Sequence, residues 1–386
     1  MIKIPENKYL SVQELHVEHL KQPVQDAIQF YLNCCNIISG NLNTNQLNQN
    51  IKKTFKKMTI KSFLANISTK KYDELDIQEV FRNQSFKAEF LNYYSHITDL
   101  LTDMLDPESI IYFEHILGKK PEFLISVHDY LFSNYSMLKT DEEKQVFEPN
   151  ITNKGTVFKL IESIYDYNNF RDGKLVSGWG AYNLCEELEI NVCPYCNRIY
   201  TFTVVNLKRE ITRPELDHYF PRSKFPIFAI SFYNLIPSCK VCNSSIKKDE
   251  YLKIDEYLHP YINSLSPLYH FDFISLDVEA TKGENKNNKI FINKNGFVDT
   301  KSDNFLNKFL IEDIYDRHKN IVPTFAKKHT RYPDSALNEL SKLLDVPKEE
   351  LLLILYNPPE EADIVNTSLG KLQRDLYLKF RSFYDV

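Results

Sequence analysis

Four cysteines, one Asp-His pair and two asparagines carry the chemistry open to this sequence. Cys193 and Cys196 flank Pro-Tyr, and Cys239 and Cys242 repeat the C-x2-C spacing around Lys-Val. Two such pairs are a zinc signal, because zinc takes four thiolates tetrahedrally and each knuckle delivers two at a fixed separation. Four sulfur ligands close the shell, so a zinc here is expected to hold the fold rather than to react. The 42 residues between the pairs exceed a simple ribbon loop, so something is inserted. The insert contains PELDHYFPRSKFP, where Asp217 and His218 precede Pro221, and then Asn234; Asn243 follows Cys242 directly. A carboxylate, an imidazole and two amides are the parts of a one-metal phosphodiester hydrolase. That reaction needs a base for water, a cation for the developing charge and a scaffold for both.

The surroundings agree with such a substrate. The whole chain of 386 residues carries a net charge of −5, which argues against indiscriminate coating of nucleic acid. Between Cys193 and Lys253, however, ten Lys and Arg stand against five Asp and Glu. Only nine glycines occur, and neither G-x-x-x-x-G-K-[ST] nor G-x-G-x-x-G is present, so any dependence on ATP is expected to come from another subunit. No apolar run reaches the roughly 18 residues of a membrane span. The opening MIKIPENKYLSVQEL has no uninterrupted apolar core, and a cytoplasmic protein without a leader is the expectation.

Positioning these residues requires a frame, and the pattern suggests an α+β chain that is mostly α-helical. Residues 1–175 read as a helical N-terminal domain. Phe90, Leu91, Tyr94, Ile97, Leu100, Leu101, Met104 and Leu105 form an apolar stripe at helical spacing. Ser11 with Glu14, and Thr140 with Glu143, have capping-box spacing and suggest helix starts. The Asn/Gln-rich residues 38–54 suggest a loop. Residues 176–255 hold the cysteines, prolines and aromatics of a compact central module. Residues 256–386 begin with a short β-hairpin, expected to turn at Asn295-Gly296, and return to helix.

Taken in order, Cys193, Cys196, Asp217, His218, Pro221, Asn234, Cys239, Cys242 and Asn243 resemble the HNH endonucleases in their zinc-clipped ββα-metal form. The likeness covers about 60 to 80 residues, with Asn243 where the family's last letter calls for histidine. It implies a structural zinc on the four cysteines and a catalytic Mg²⁺ or Mn²⁺ held by Asp217 and Asn243. It makes His218 the general base and gives Asn234 the task of bonding across the loop that carries the base. If Asn243 opens a helix, Lys247 falls on the same face and could reach the scissile phosphate; Arg222 and Lys224 are further phosphate candidates. Glu215 shares the strand face of Asp217 and is a candidate extra ligand. More loosely, the layout is similar to HNH effectors of Septu-type anti-phage systems, which act with an ATPase partner.

DNA is the expected substrate, with RNA an alternative, as in an RNA-directed nuclease or toxin. A different class also fits the cysteines: a zinc-ribbon module that binds nucleic acid without cutting it. Cys34, Cys35 and Cys185 are expected in the core, as is Trp179, and His259 in a structural His-Pro turn. His16 and His19 have no partner pattern.

Overall fold

The computed structural model describes residues 2–40, 97–135, 156–206, 209–265, 269–294 and 299–384, with a few isolated positions between them. Thr140, Glu143, Asn295, most of the Asn/Gln-rich stretch, and Phe90, Leu91 and Tyr94 of the apolar stripe lie outside the described residues. Among the described residues helix dominates, with three small antiparallel sheets of two strands each.

The first element, α1 (Glu6–Ile38), sets the frame. Tyr9, Val12, His16, Leu20, Val24, Ile28, Tyr31 and Cys35 recur every three to four residues and are all buried. Helix α1 starts directly after Pro5, so Ser11 is an interior residue and the expected capping box does not form there. The buried side packs on α2 (Ile97–Asp103), α3 (Phe113–Gly118), α4 (Thr156–Ile164) and α5 (Ala181–Leu188). Ile97, Leu100 and Leu101 bury the described part of the apolar stripe, and Cys185 and Trp179 are buried as well.

The cysteine-rich stretch follows. β1 (Val204–Asn206) pairs with β2 (Arg209–Thr212), and β3 (Glu215–His218) pairs with β4 (Leu235–Ser238). In the second pair Glu215 lies opposite Ser238, Asp217 opposite Ile236 and His218 opposite Leu235. A short helix of i→i+5 type, Val241–Lys247, comes immediately after. In the C-terminal part, β5 (Tyr269–Ser275) pairs with β6 (Asn288–Lys294), with Tyr269 opposite Lys294. The hairpin therefore closes through residues 276–287, and the strand expected to turn at Asn295-Gly296 finds its partner upstream instead.

Helices α6 (Thr300–Lys308), α7 (Ile311–Asp316), α8 (Val322–Arg331), α9 (Asp334–Leu344), α10 (Lys348–Tyr356) and α11 (Gly370–Arg381) complete the described chain. α11 covers β5 and α7 covers β6. One cluster of buried apolar side chains runs from Ile4 to Tyr384, through all three segments. No described helix is long and apolar enough to cross a membrane.

Candidate metal centre and adjoining cleft

The sulfur atoms of Cys193, Cys196, Cys239 and Cys242 lie within 4.8 Å of one another, and all four residues are buried. Cys196 Sγ and Cys239 Sγ are 3.9 Å apart. Ligands about 2.3 Å from a tetrahedral zinc stand about 3.8 Å from each other, so the cluster fits that ion. None of the four cysteines is paired in a disulfide.

The first knuckle is shaped by its own backbone. Asn197 N–H donates to Cys193 O at 2.7 Å and Cys193 N–H to Ile199 O at 3.0 Å. Asn197 closes the turn with φ +47°, a conformation that asparagine tolerates. Both ends of the chain grip this turn. Ile2 N–H bonds Pro194 O at 2.9 Å. Tyr315 Oη donates to Cys196 O at 2.6 Å, and the Asn197 amide donates to Ile364 O at 2.7 Å. Asn197 Oδ1 in turn accepts from Lys371 N–H at 3.0 Å.

A cleft of about 370 Å³ opens beside the cluster, lined by Asp217, His218, Arg222, Asn243, Lys248 and Asp249 among others. β3 delivers Asp217 and His218, and the helix after the second knuckle delivers Asn243. His218 Nε2 lies 2.9 Å from Ala229 O. A carbonyl only accepts, so Nε2 carries the proton and Nδ1 keeps its lone pair. Burial pulls the His218 pKa down to about 3; the Ala229 carbonyl opposes that shift, while the nearby Arg222 and Lys247 charges add to it. The imidazole is therefore neutral at ordinary pH. Tyr167 packs edge-on against it at 4.4 Å, and the Arg222 guanidinium lies 5.2 Å from the centre of the same tyrosine ring. Arg222 also donates to Asn168 Oδ1 at 3.0 Å.

Asn234 is fully buried and spans the loop between β3 and β4. Its Oδ1 accepts from Phe220 N–H at 2.7 Å, and its Nδ2 donates to Phe220 O at 3.2 Å and Phe228 O at 2.8 Å. Asn243 donates through Nδ2 to Glu215 Oε2 at 3.0 Å, which leaves its Oδ1 as the free acceptor. Ser244 Oγ donates to the same Glu215 oxygen at 2.6 Å.

Lys247 departs from the expected arrangement. The helix is wound i→i+5, with Lys248 N–H on Asn243 O at 2.7 Å. The Lys247 side chain turns inward, donating to Asp217 Oδ1 at 3.1 Å and His218 O at 2.8 Å. Lys248 lines the cleft in its place, whereas Lys224 is not among the lining residues. Asp217 is only 2% exposed, and its second oxygen accepts from Tyr195 Oη at 2.6 Å. Tyr195 sits between Cys193 and Cys196, its ring stacked on Phe309 with centroids 4.7 Å apart.

Sequence reasoning missed Tyr195, Tyr167 and the inward path of Lys247. Only Tyr195 left a signal, an aromatic with a polar tip inside a C-x2-C knuckle. His259 is fully buried, with Nδ1 accepting from Tyr261 N–H at 3.3 Å, a structural turn. His16 is also buried, bonding Ile230 O at 2.8 Å through Nε2 and accepting from Trp179 Nε1 at 3.2 Å.

Comparison with known proteins adds little to the geometry. No family model matches the chain, and no solved structure matches it. Among curated proteins it is similar to protein ea31 of Escherichia phage lambda, 27% identical over 151 residues. That stretch is 37% of this chain and 45% of ea31, so the chain spans less than half of that relative's length.

Proposed function

We propose that this chain is a metal-dependent endonuclease of the HNH type, which hydrolyses phosphodiester bonds in DNA. One observation carries the reading: Asp217, His218 and Asn243 line a single cleft, on a strand pair and following helix that spring from the buried four-cysteine cluster. The cysteines would hold a structural zinc. A Mg²⁺ or Mn²⁺ ion on Asp217 and Asn243 Oδ1 would supply positive charge to the phosphate oxygens as the bond to the leaving oxygen breaks. His218 Nδ1 takes the proton of the attacking water, while the Ala229 carbonyl holds the ring in the tautomer that can do so. Asn234 fixes the loop that supplies that carbonyl, and Glu215 takes the Asn243 amide N–H, so that Asn243 Oδ1 would be left to serve as a ligand. Arg222 and Lys248 offer positive charge to flanking phosphates.

The layout suggests a role in bacterial anti-phage defence beside an ATPase subunit. Leu343 and Leu344 on α9 and Leu353 and Ile354 on α10 are exposed apolar side chains of the kind that a partner could cover. The rival reading is a zinc-held module that binds nucleic acid without cutting. It gains from the engagement of both Asp217 oxygens by Tyr195 and Lys247. Each carboxylate oxygen nevertheless retains a second lone pair.

Purified protein incubated with supercoiled plasmid decides between them. Nicking is expected with Mg²⁺ or Mn²⁺, loss in EDTA, and recovery on adding either ion without zinc. His218→Ala should lower the rate by about 10²–10⁴ with zinc content unchanged. Binding of plasmid without cleavage under all of these conditions would establish the rival, and cleavage of RNA alone would move the substrate to RNA.

A further inference from the structure

The ammonium of Lys247 is enclosed, with its side chain 0% exposed, yet it is bonded to a carboxylate that faces the cleft. Taking a lysine out of water is costly unless a counter-charge accompanies it, and Asp217 Oδ1 at 3.1 Å is that counter-charge. The His218 carbonyl accepts a second hydrogen bond from the ammonium at 2.8 Å, so two groups of β3 hold the lysine. Tyr195 fixes the other oxygen of Asp217 from the opposite element. The charges around this pair also balance. Asp217, Asp249 and the Glu215 behind Asn243 are three carboxylates, matched by Lys247, Lys248 and Arg222.

Hard divalent cations settle where anionic oxygens outnumber nearby cations. Here the single carboxylate proposed as a ligand already has its charge compensated within the fold. We infer that Lys247 is a built-in counter-ion of Asp217, which keeps the cleft near neutrality so that the catalytic divalent cation is taken up only together with a substrate phosphate. The inference rests on the endonuclease reading. A phosphodiester entering the cleft supplies both the missing negative charge and additional oxygen ligands. By linkage, the ion and the nucleic acid then raise each other's affinity by the same factor. On this account the protein free of substrate carries zinc but no catalytic ion.

A purely structural Lys247 would tie the helix to β3 by hydrogen bonds and leave ion uptake alone, so the test separates charge from bonding. Mn²⁺ binding to the zinc-loaded full chain is titrated by electron paramagnetic resonance, alone and with a phosphorothioate DNA duplex that resists cleavage. For the parent, the duplex should tighten Mn²⁺ binding at least about tenfold. Lys247→Gln keeps a donor and removes the charge; it should bind Mn²⁺ at least about tenfold more tightly than the parent without duplex, and gain less from the duplex. Equal parental affinity with and without duplex overturns the inference, as does a folded Lys247→Gln that binds like the parent. If Lys247→Gln does not fold, the parental pair of titrations decides alone. Plasmid nicking with duplex-independent Mn²⁺ uptake sinks this inference and spares the endonuclease reading. No nicking and no Mn²⁺ uptake under any condition removes both.

Discussion

Asn234→Ala is the perturbation whose size the structure fixes best. The side chain is fully buried and makes three hydrogen bonds, one to Phe220 N–H, one to Phe220 O and one to Phe228 O. All three partners are main-chain groups of the loop between β3 and β4, and alanine replaces none of the lost bonds. A buried group left unpaired costs about 1–3 kcal/mol, so the three together set a range of roughly 3–9 kcal/mol. Loop relaxation and entry of a water recover part, and a loss of about 3–5 kcal/mol is expected. Urea unfolding followed by fluorescence measures it, with an unchanged slope showing that the unfolded state is not altered. The catalytic consequence is separable. Phe228 directly precedes Ala229, whose carbonyl holds His218, so a slack loop misdirects Nδ1. At a temperature where the variant is folded, cleavage should fall by about 10²-fold or more at saturating Mn²⁺. A stability loss below about 1 kcal/mol would refute the bracing argument. A folded variant that cuts at the parental rate would refute the link from Asn234 to His218.

Two further outcomes follow from the same geometry. Cys193→Ser or Cys239→Ser should abolish zinc binding and unfold the central region, because about 10–16 kcal/mol of zinc affinity is comparable to a whole domain's stability; metal analysis and circular dichroism read this, and a folded, zinc-free variant would contradict it. Acid should destabilise the protein well above the carboxylate range. Burial pulls the His16 pKa down to about 4 and that of His259 to about 3, so the folded state keeps both neutral while the unfolded chain binds protons below about 6.5. Their stability is whole above that pH and declines as pH falls from it towards 4. Each should cost roughly 2 kcal/mol between pH 7.5 and pH 5, and a flat thermal midpoint over that interval would show that they are not buried as described.

The cysteine cluster was legible because metal ligation constrains local spacing, and the nearness of Asp217, His218 and Asn243 to one cleft because they lie between the cysteine pairs or directly after them in sequence. Two sulfurs on one turn must stand about three positions apart, and a base beside a ligand must be adjacent to it on a strand edge or across it. Pairings set by long-range packing left no such trace. β6 ends beside an Asn-Gly, the strongest short-range hairpin signal, yet its partner is β5 because residues 276–287 already provide the reversal. Ser11 and Glu14 have the spacing of a cap, but the helix begins after Pro5, where apolar residues that reach the core start earlier. The orientation of Lys247 was hidden for a different reason. A spacing of four residues puts it near the face of Asn243, but spacing alone does not say that its side chain turns inward to Asp217 and the His218 carbonyl.

A metal on the four cysteines would be coupled to the cleft through the two knuckles. The helix begins at the second knuckle and ends on Lys247, which is bonded to Asp217 Oδ1; Tyr195 of the first knuckle is bonded to Asp217 Oδ2. Each cysteine pair thus controls one oxygen of the same carboxylate. Moving the knuckles apart by even half an ångström would stretch one of two short, buried bonds, and such bonds weaken steeply with distance. A zinc on the four cysteines, with no open coordination site, would therefore still act on the proposed chemistry, since it would set the separation of the two groups that aim Asp217. Its contribution would reach the cleft through the Tyr195 hydroxyl and the Lys247 ammonium, with no ligand exchange at the metal.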